Sequence, residues 1–124
     1  MKKQHAPGFL SLETESKKRI KEISPKILKE KIESKEHMSL IDVRELNERE
    51  TGYIATAIHL SKGVIERDIE KTIPNLDEQV IVYCSGGFRS ALVADNLQKM
   101  GYTDVYSLET GLQGWLDDGY SLQK

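Results

Sequence analysis

Seven consecutive residues carry the chemistry this chain could do: Cys84-Ser85-Gly86-Gly87-Phe88-Arg89-Ser90. Cysteine acts as a nucleophile only as its thiolate, and a free thiol ionises near pH ~8.5. The residues after Cys84 are of types that favour the anion. Two adjacent glycines let the backbone curl until several N–H groups converge on one point, a nest for negative charge. Where a helix follows such a turn, its first amides lack intrahelical acceptors and its dipole adds positive potential. Arg89 brings a permanent cation with a fork of donors suited to an oxyanion. Nucleophile, amide cradle and cation thus lie on one short loop, and Cys84 needs no histidine base to become reactive. A lone cysteine is more often an inert core residue. The glycine pair and the arginine directly behind it argue against that here.

A loop of this kind needs a strand to deliver it and a helix to receive it. Residues 80–83, Val-Ile-Val-Tyr, are four uncharged β-formers, as a strand buried on both faces requires. Residues 90–100 place Ala91, Ala94, Leu97 and Met100 toward one side of a helix, with Gly101 positioned to cap it. Further strands are expected at 20–23, 40–43, 57–60 and 105–108. Helices are expected at 25–35, 45–51, 64–73 and 112–117. The first of these opens on Ser24 as N-cap with Pro25 behind it; the third stops before Pro74. Strands alternating with helices predict an α/β fold, a mostly parallel sheet with helices on both faces. In such sheets ligands sit beyond the carboxyl ends of the strands, and Cys84 falls there.

The chain has 124 residues, 38% hydrophobic and 31% charged, sufficient for one domain with a core. Eighteen basic and twenty acidic residues leave a net charge of −2, which gives nucleic acid no basic patch to meet. No apolar run reaches the ~20 residues of a membrane span. A single cysteine excludes an intramolecular disulfide, and with three scattered histidines no metal or other cofactor is expected. The absence of a signal-like N-terminus and the lone thiol together suggest a cytoplasmic protein.

Three segments in order, Leu40-Ile41-Asp42-Val43-Arg44-Glu45, Val82 to Ser90, and Gly111-Leu112-Gln113-Gly114-Trp115, resemble those of a single-domain rhodanese. The resemblance covers roughly residues 20–122 and implies a rhodanese-like five-stranded parallel sheet flanked by helices. It implies a sulfurtransferase in which Cys84 carries a persulfide. The donor would be a small anion such as thiosulfate, and the acceptor cyanide or a thiol, including a thiol on another protein. Residues Ser85, Gly86, Gly87, Phe88 and Ser90 would form the substrate cradle, with Arg89 its substrate-facing cation. Two places depart from the family pattern in the scaffold: Gly52-Tyr53-Ile54-Ala55-Thr56-Ala57, where many members read Gly-His-Ile-Pro-Gly-Ala, and Thr110, where a second glycine before Gly111 is common. Ser85 stands where thiosulfate-preferring members often carry a second basic residue, which leaves donor preference open.

Two rival functions remain. A rhodanese-fold interaction module without catalysis generally lacks the cysteine or the arginine, and both are present. Phosphatases and arsenate reductases of the same superfamily place five residues between cysteine and arginine; here there are four. Asp42 and Arg44, at the end of a strand, either support the active loop or set the potential at its entrance, or else pair with each other or cap the next helix. Phe88 either walls the pocket or anchors the loop. His5, His37 and His59 are expected to be structural or on the surface, and Trp115 in the core. Residues 1–18 form an N-terminal extension ahead of the domain at 19–124, either an added helix packed on it or a flexible arm.

Overall fold

The structure, a computed structural model, describes residues 5–124. Its elements run α1 (Pro7–Lys17), β1 (Lys21–Ile23), α2 (Pro25–Glu33), β2 (Ser39–Asp42), α3 (Leu46–Arg49), β3 (Ile58–His59), α4 (Ile65–Thr72), β4 (Val80–Tyr83), α5 (Phe88–Lys99), β5 (Val105–Leu108) and α6 (Gly111–Asp117). The five strands form one parallel sheet in the order β1-β5-β4-β2-β3. This is the α/β architecture that the alternating pattern predicts.

Strand β4 sits at the centre, between β5 and β2, and every residue of it is buried. Its side chains alternate between two apolar layers, as the period of two demands. Val80 and Val82 face a core built with Ile65 and Ile69 of α4 and Val93, Ala94 and Leu97 of α5. Ile81 and Tyr83 face the opposite core, with Leu28 of α2 and Leu112 and Trp115 of α6. Cys84 continues the phase of Val80 and Val82, so its side chain is directed to the α5 side.

Local chemistry sets the helix starts. Ser24 accepts the Ile27 amide at 3.2 Å, the N-cap bond expected ahead of Pro25. Helix α4 ends at Thr72, short of Pro74. Helix α5 begins at Phe88, two residues earlier than apolar periodicity predicts, because Gly87 adopts φ +93° and turns the chain straight into the helix. Strand β3 is shorter than expected, since only Ile58 and His59 pair with β2 at the sheet edge.

The N-terminal segment contains a helix, α1, packed along α5. Ser16 Oγ donates to Asp95 Oδ2 at 3.1 Å, and Arg19 grips the same carboxylate through Nε and Nη2 at 3.0 and 2.7 Å. Asp95 is buried, and hydrogen bonding from Arg19 holds it below the ordinary carboxylate pKa. The first turn of α1 thereby lies beside the start of α5, into which the cysteine loop runs. No helix among the described residues is long and apolar enough to cross a membrane.

Candidate active site

The loop after β4 closes around its own sulfur. Cys84 is 1% exposed, and its Sγ accepts the amides of Gly87 at 3.2 Å and Ser90 at 3.4 Å. The Ser90 hydroxyl lies 3.6 Å from Sγ and 2.8 Å from Ser107 Oγ on β5. Two N–H groups aimed at one sulfur form a cradle complementary to an anion. The second of them belongs to the first turn of α5, where no intrahelical acceptor competes for it.

The glycine-tryptophan segment holds the loop from outside. The amides of Leu112 and Gln113, at the start of α6, donate to the carbonyls of Cys84 and Ser85 at 2.8 and 2.9 Å. Gly111 at φ +59° is where the two segments touch: a Cβ there would lie 2.6 Å from the Cys84 oxygen and 2.7 Å from that of Ser85. Thr110 precedes it at φ +60°, in the left-handed region that a non-glycine residue seldom adopts.

Arg89 does not stand alone. Its two terminal nitrogens bind the Glu48 carboxylate at 2.8 and 2.9 Å, and Nη2 also donates to Ser85 Oγ at 3.3 Å. Glu48 is on α3, and its Oε2 also accepts the Glu45 amide at 2.8 Å. Hydrogen bonding from Arg89, opposed in part by burial, holds the Glu48 carboxyl down at about 2. The cation beside Cys84 is therefore matched by a carboxylate that remains ionised at any neutral pH.

Asp42 and Arg44 adopt one of their expected arrangements and pair with each other. Arg44 Nε and Nη2 reach the Asp42 oxygens at 3.0 and 2.8 Å, both residues are buried, and Arg44 does not line the cleft. The Tyr83 hydroxyl donates to Asp42 at 3.1 Å and accepts the Ile54 amide at 3.1 Å. Burial first, then the Asp42 charge, raises the Tyr83 phenol well above its ordinary pKa and keeps it a donor. The pair thus buttresses the end of β4 from the face opposite the sulfur. His59 accepts no role in the cleft; its Nε2 meets the Arg44 carbonyl at 2.7 Å.

Cys84 forms the floor of an open cleft of about 1020 Å³. Phe88 is half-buried in its wall, and two residues ahead of the domain complete that wall. The His5 ring lies 4.4 Å from that of Phe88 and 5.1 Å from Phe9 on α1, with Phe9 and Phe88 6.1 Å apart. Glu48, Lys17, Glu109 and Asp117 stand around the same cleft. Reasoning from sequence missed His5, Phe9 and Glu48. His5 and Phe9 are four apart, a spacing compatible with one face of a first helical turn. Nothing in a single chain links Glu48 to Arg89 across 41 positions.

A central parallel strand that runs directly into a buried cysteine, its sulfur accepting amides at a helix start, defines an α/β domain with a cradled sulfur at the carboxyl edge of its sheet. The sequence matches the Rhodanese-like domain family over residues 24–118, and the chain belongs to that family. It is 40% identical over 96 residues to the "Putative sulfurtransferase YtwF" of Bacillus subtilis, covering 77% of this chain and 90% of that one. Against the B. subtilis "Putative sulfur carrier protein YrkF", 29% identical over 102 residues, the chain spans only 54% of the relative's length. Among solved structures, the Rhodopseudomonas palustris protein RPA3614, described as a "Possible Tyrosine Phosphatase", superposes with a TM-score of 0.87 at 25% identity over 99% of both chains. The polysulfide-sulfur transferase homodimer of Wolinella succinogenes superposes at 0.79 and 26% identity, over 94% of this chain and 87% of that one.

Proposed function

We propose that this protein is a sulfurtransferase working by double displacement through a Cys84 persulfide. The observation that carries the reading is the pair of amides, Gly87 and Ser90, aimed at a single buried sulfur on the floor of a cleft. In the first half-reaction the Cys84 thiolate attacks the outer sulfur of a sulfane-sulfur donor, thiosulfate being the simplest. A bond forms from Sγ to that sulfur, the donor's S–S bond breaks, and the electron pair leaves on the donor remnant, sulfite in the case of thiosulfate. In the second, cyanide or a thiolate attacks the outer sulfur of the persulfide and Cys84 leaves as thiolate. Because Cys84 is the only cysteine, the acceptor comes from outside the chain, as a small thiol or a thiol on another protein.

Relatives that carry sulfurtransferase names support the class. Four residues between Cys84 and Arg89, with amides turned onto Sγ itself, suit a single sulfur better than a tetrahedral phosphate. The test is intact-mass measurement after exposure to sulfane-sulfur donors. A gain of one sulfur in the wild type and none in Cys84→Ala is expected; no adduct with any donor refutes the reading.

A further inference from the structure

We infer that the preferred donor is an organic persulfide, R–S–SH, with a neutral or cationic R group, and that His5, Phe9 and Phe88 are its specificity wall. The inference rests on the sulfurtransferase reading and narrows its substrate class.

Two independent features of the cleft lead to it. The first is apolar surface beside the sulfur. The Phe88 ring covers Gly86 within the loop, and the segment ahead of the domain brings His5 and Phe9 against it. The helix that carries this wall is tied to α5 by the bonds from Ser16 and the more exposed Arg19 to the buried Asp95 carboxylate. A thiosulfate ion has no carbon to lay on three aromatic rings, whereas a small R group does.

The second feature is charge. Arg89 is bound at both terminal nitrogens by Glu48, and Lys17 lies 3.2 Å from Glu13 and 3.7 Å from Glu22. Three carboxylates, Glu48, Glu109 and Asp117, line the cleft against those two paired cations among the described residues. Such a rim repels a dianion and tolerates a neutral or cationic R group. The step balances without a further reactant. The Cys84 thiolate attacks the terminal sulfur of R–S–SH, the Sγ–S bond forms, the donor S–S bond breaks and its pair leaves as R–S⁻. The hydrogen on the terminal sulfur stays there.

The experiment compares loading rates of the full-length protein by intact mass, using 2-hydroxyethyl persulfide, benzyl persulfide and thiosulfate. Both persulfides are expected to load at least about tenfold faster than thiosulfate, the scale on which an apolar pocket discriminates. Phe9→Ala should cut the persulfide-to-thiosulfate ratio several-fold, and the benzyl donor should lose most. Glu48→Gln, by freeing Arg89, should raise thiosulfate loading by at least about tenfold. Raising the salt concentration on the wild type should assist thiosulfate alone and requires no variant to fold. Faster loading from thiosulfate than from either persulfide, or a ratio unmoved by Phe9→Ala, overturns the inference and leaves the sulfurtransferase reading standing. Loading from none of the three overturns both.

Discussion

Substituting Gly111 by alanine tests whether α6 fixes the geometry of the cysteine loop. The backbone there is at φ +59°, and an added Cβ would meet the carbonyl oxygens of Cys84 and Ser85 at 2.6 and 2.7 Å and the Gly87 nitrogen at 2.8 Å. Left-handed backbone costs an alanine ~1 kcal/mol, and forcing a methyl group against packed backbone costs a further ~1–3 kcal/mol. Two other glycines separate these contributions. Gly119 has φ +89° with nothing within 4 Å of its Cβ, so Gly119→Ala should show the backbone cost alone. Gly63 has neither constraint, and Gly63→Ala should stay within ~0.5 kcal/mol of wild type. Thermal unfolding followed by circular dichroism should place Gly111→Ala ~8–16 °C below wild type and Gly119→Ala ~4 °C below, at ~4 °C per kcal/mol for a domain of this size. Sulfur loading of Gly111→Ala should also slow at temperatures where it remains folded, because the displaced carbonyls belong to the loop. Equal losses for Gly111→Ala and Gly119→Ala would refute the close approach and with it the positioning role of α6.

Arg44→Met should lower stability by ~3 kcal/mol, because it leaves the Asp42 carboxylate buried without its main cation. Urea unfolding with an unchanged slope and a lower midpoint would report this; a loss under ~1 kcal/mol would mean that Tyr83, the Arg44 amide at 2.9 Å and Arg49 at 3.8 Å suffice. The Glu48–Arg89 pair makes a prediction about acid. Glu48 falls from the ordinary 4.5 to about 2 on folding, so its stabilisation is complete above 4.5 and fades as pH drops toward 2. The stability difference between wild type and Glu48→Gln should therefore be flat from pH 8 to 5 and shrink below 4.5. A difference that varies between pH 5 and 8 would show that another group governs it.

What the sequence disclosed and what it withheld divide along the range of the interactions. Strand β4 was legible because burial on both faces leaves only β-formers, and the strand-helix alternation specified a parallel sheet. The start of α5 was misplaced because Phe88 and Arg89 lie outside the apolar stripe; what begins the helix is the torsion of Gly87. Asp42 and Arg44, two apart, were close enough for their pairing to be anticipated as one of the outcomes. Glu48 and Arg89 were not, since each is an ordinary charged residue until α3 and the loop are set side by side. The N-terminal segment shows the same limit. Its helix was one of two expectations, but the bonds that tie it to α5 run to Asp95, 76 residues from Arg19. A charged residue in mid-helix gives no sign that it is buried.

The burial of Cys84 makes sense once both half-reactions are considered together. Under the proposed double displacement Cys84 would serve two different substrates, yet it is 1% exposed, which would be a handicap if the thiolate itself had to meet both. In the proposed chemistry only the donor approaches Sγ. Afterward the reactive atom is the outer sulfur, one bond further into the cleft, and the acceptor need reach no deeper than that. In that chemistry the Gly87 and Ser90 amides, which donate to Sγ in this structure, would keep the same partner throughout. They hold the attacking thiolate in the first step, and in the second they receive the thiolate that leaves. A cradle fixed on Sγ thus serves both directions of transfer without rearrangement. It does so only while the carbonyls of Cys84 and Ser85 stay bound to α6, which is why the glycine at that contact is the substitution with the most to say about the site.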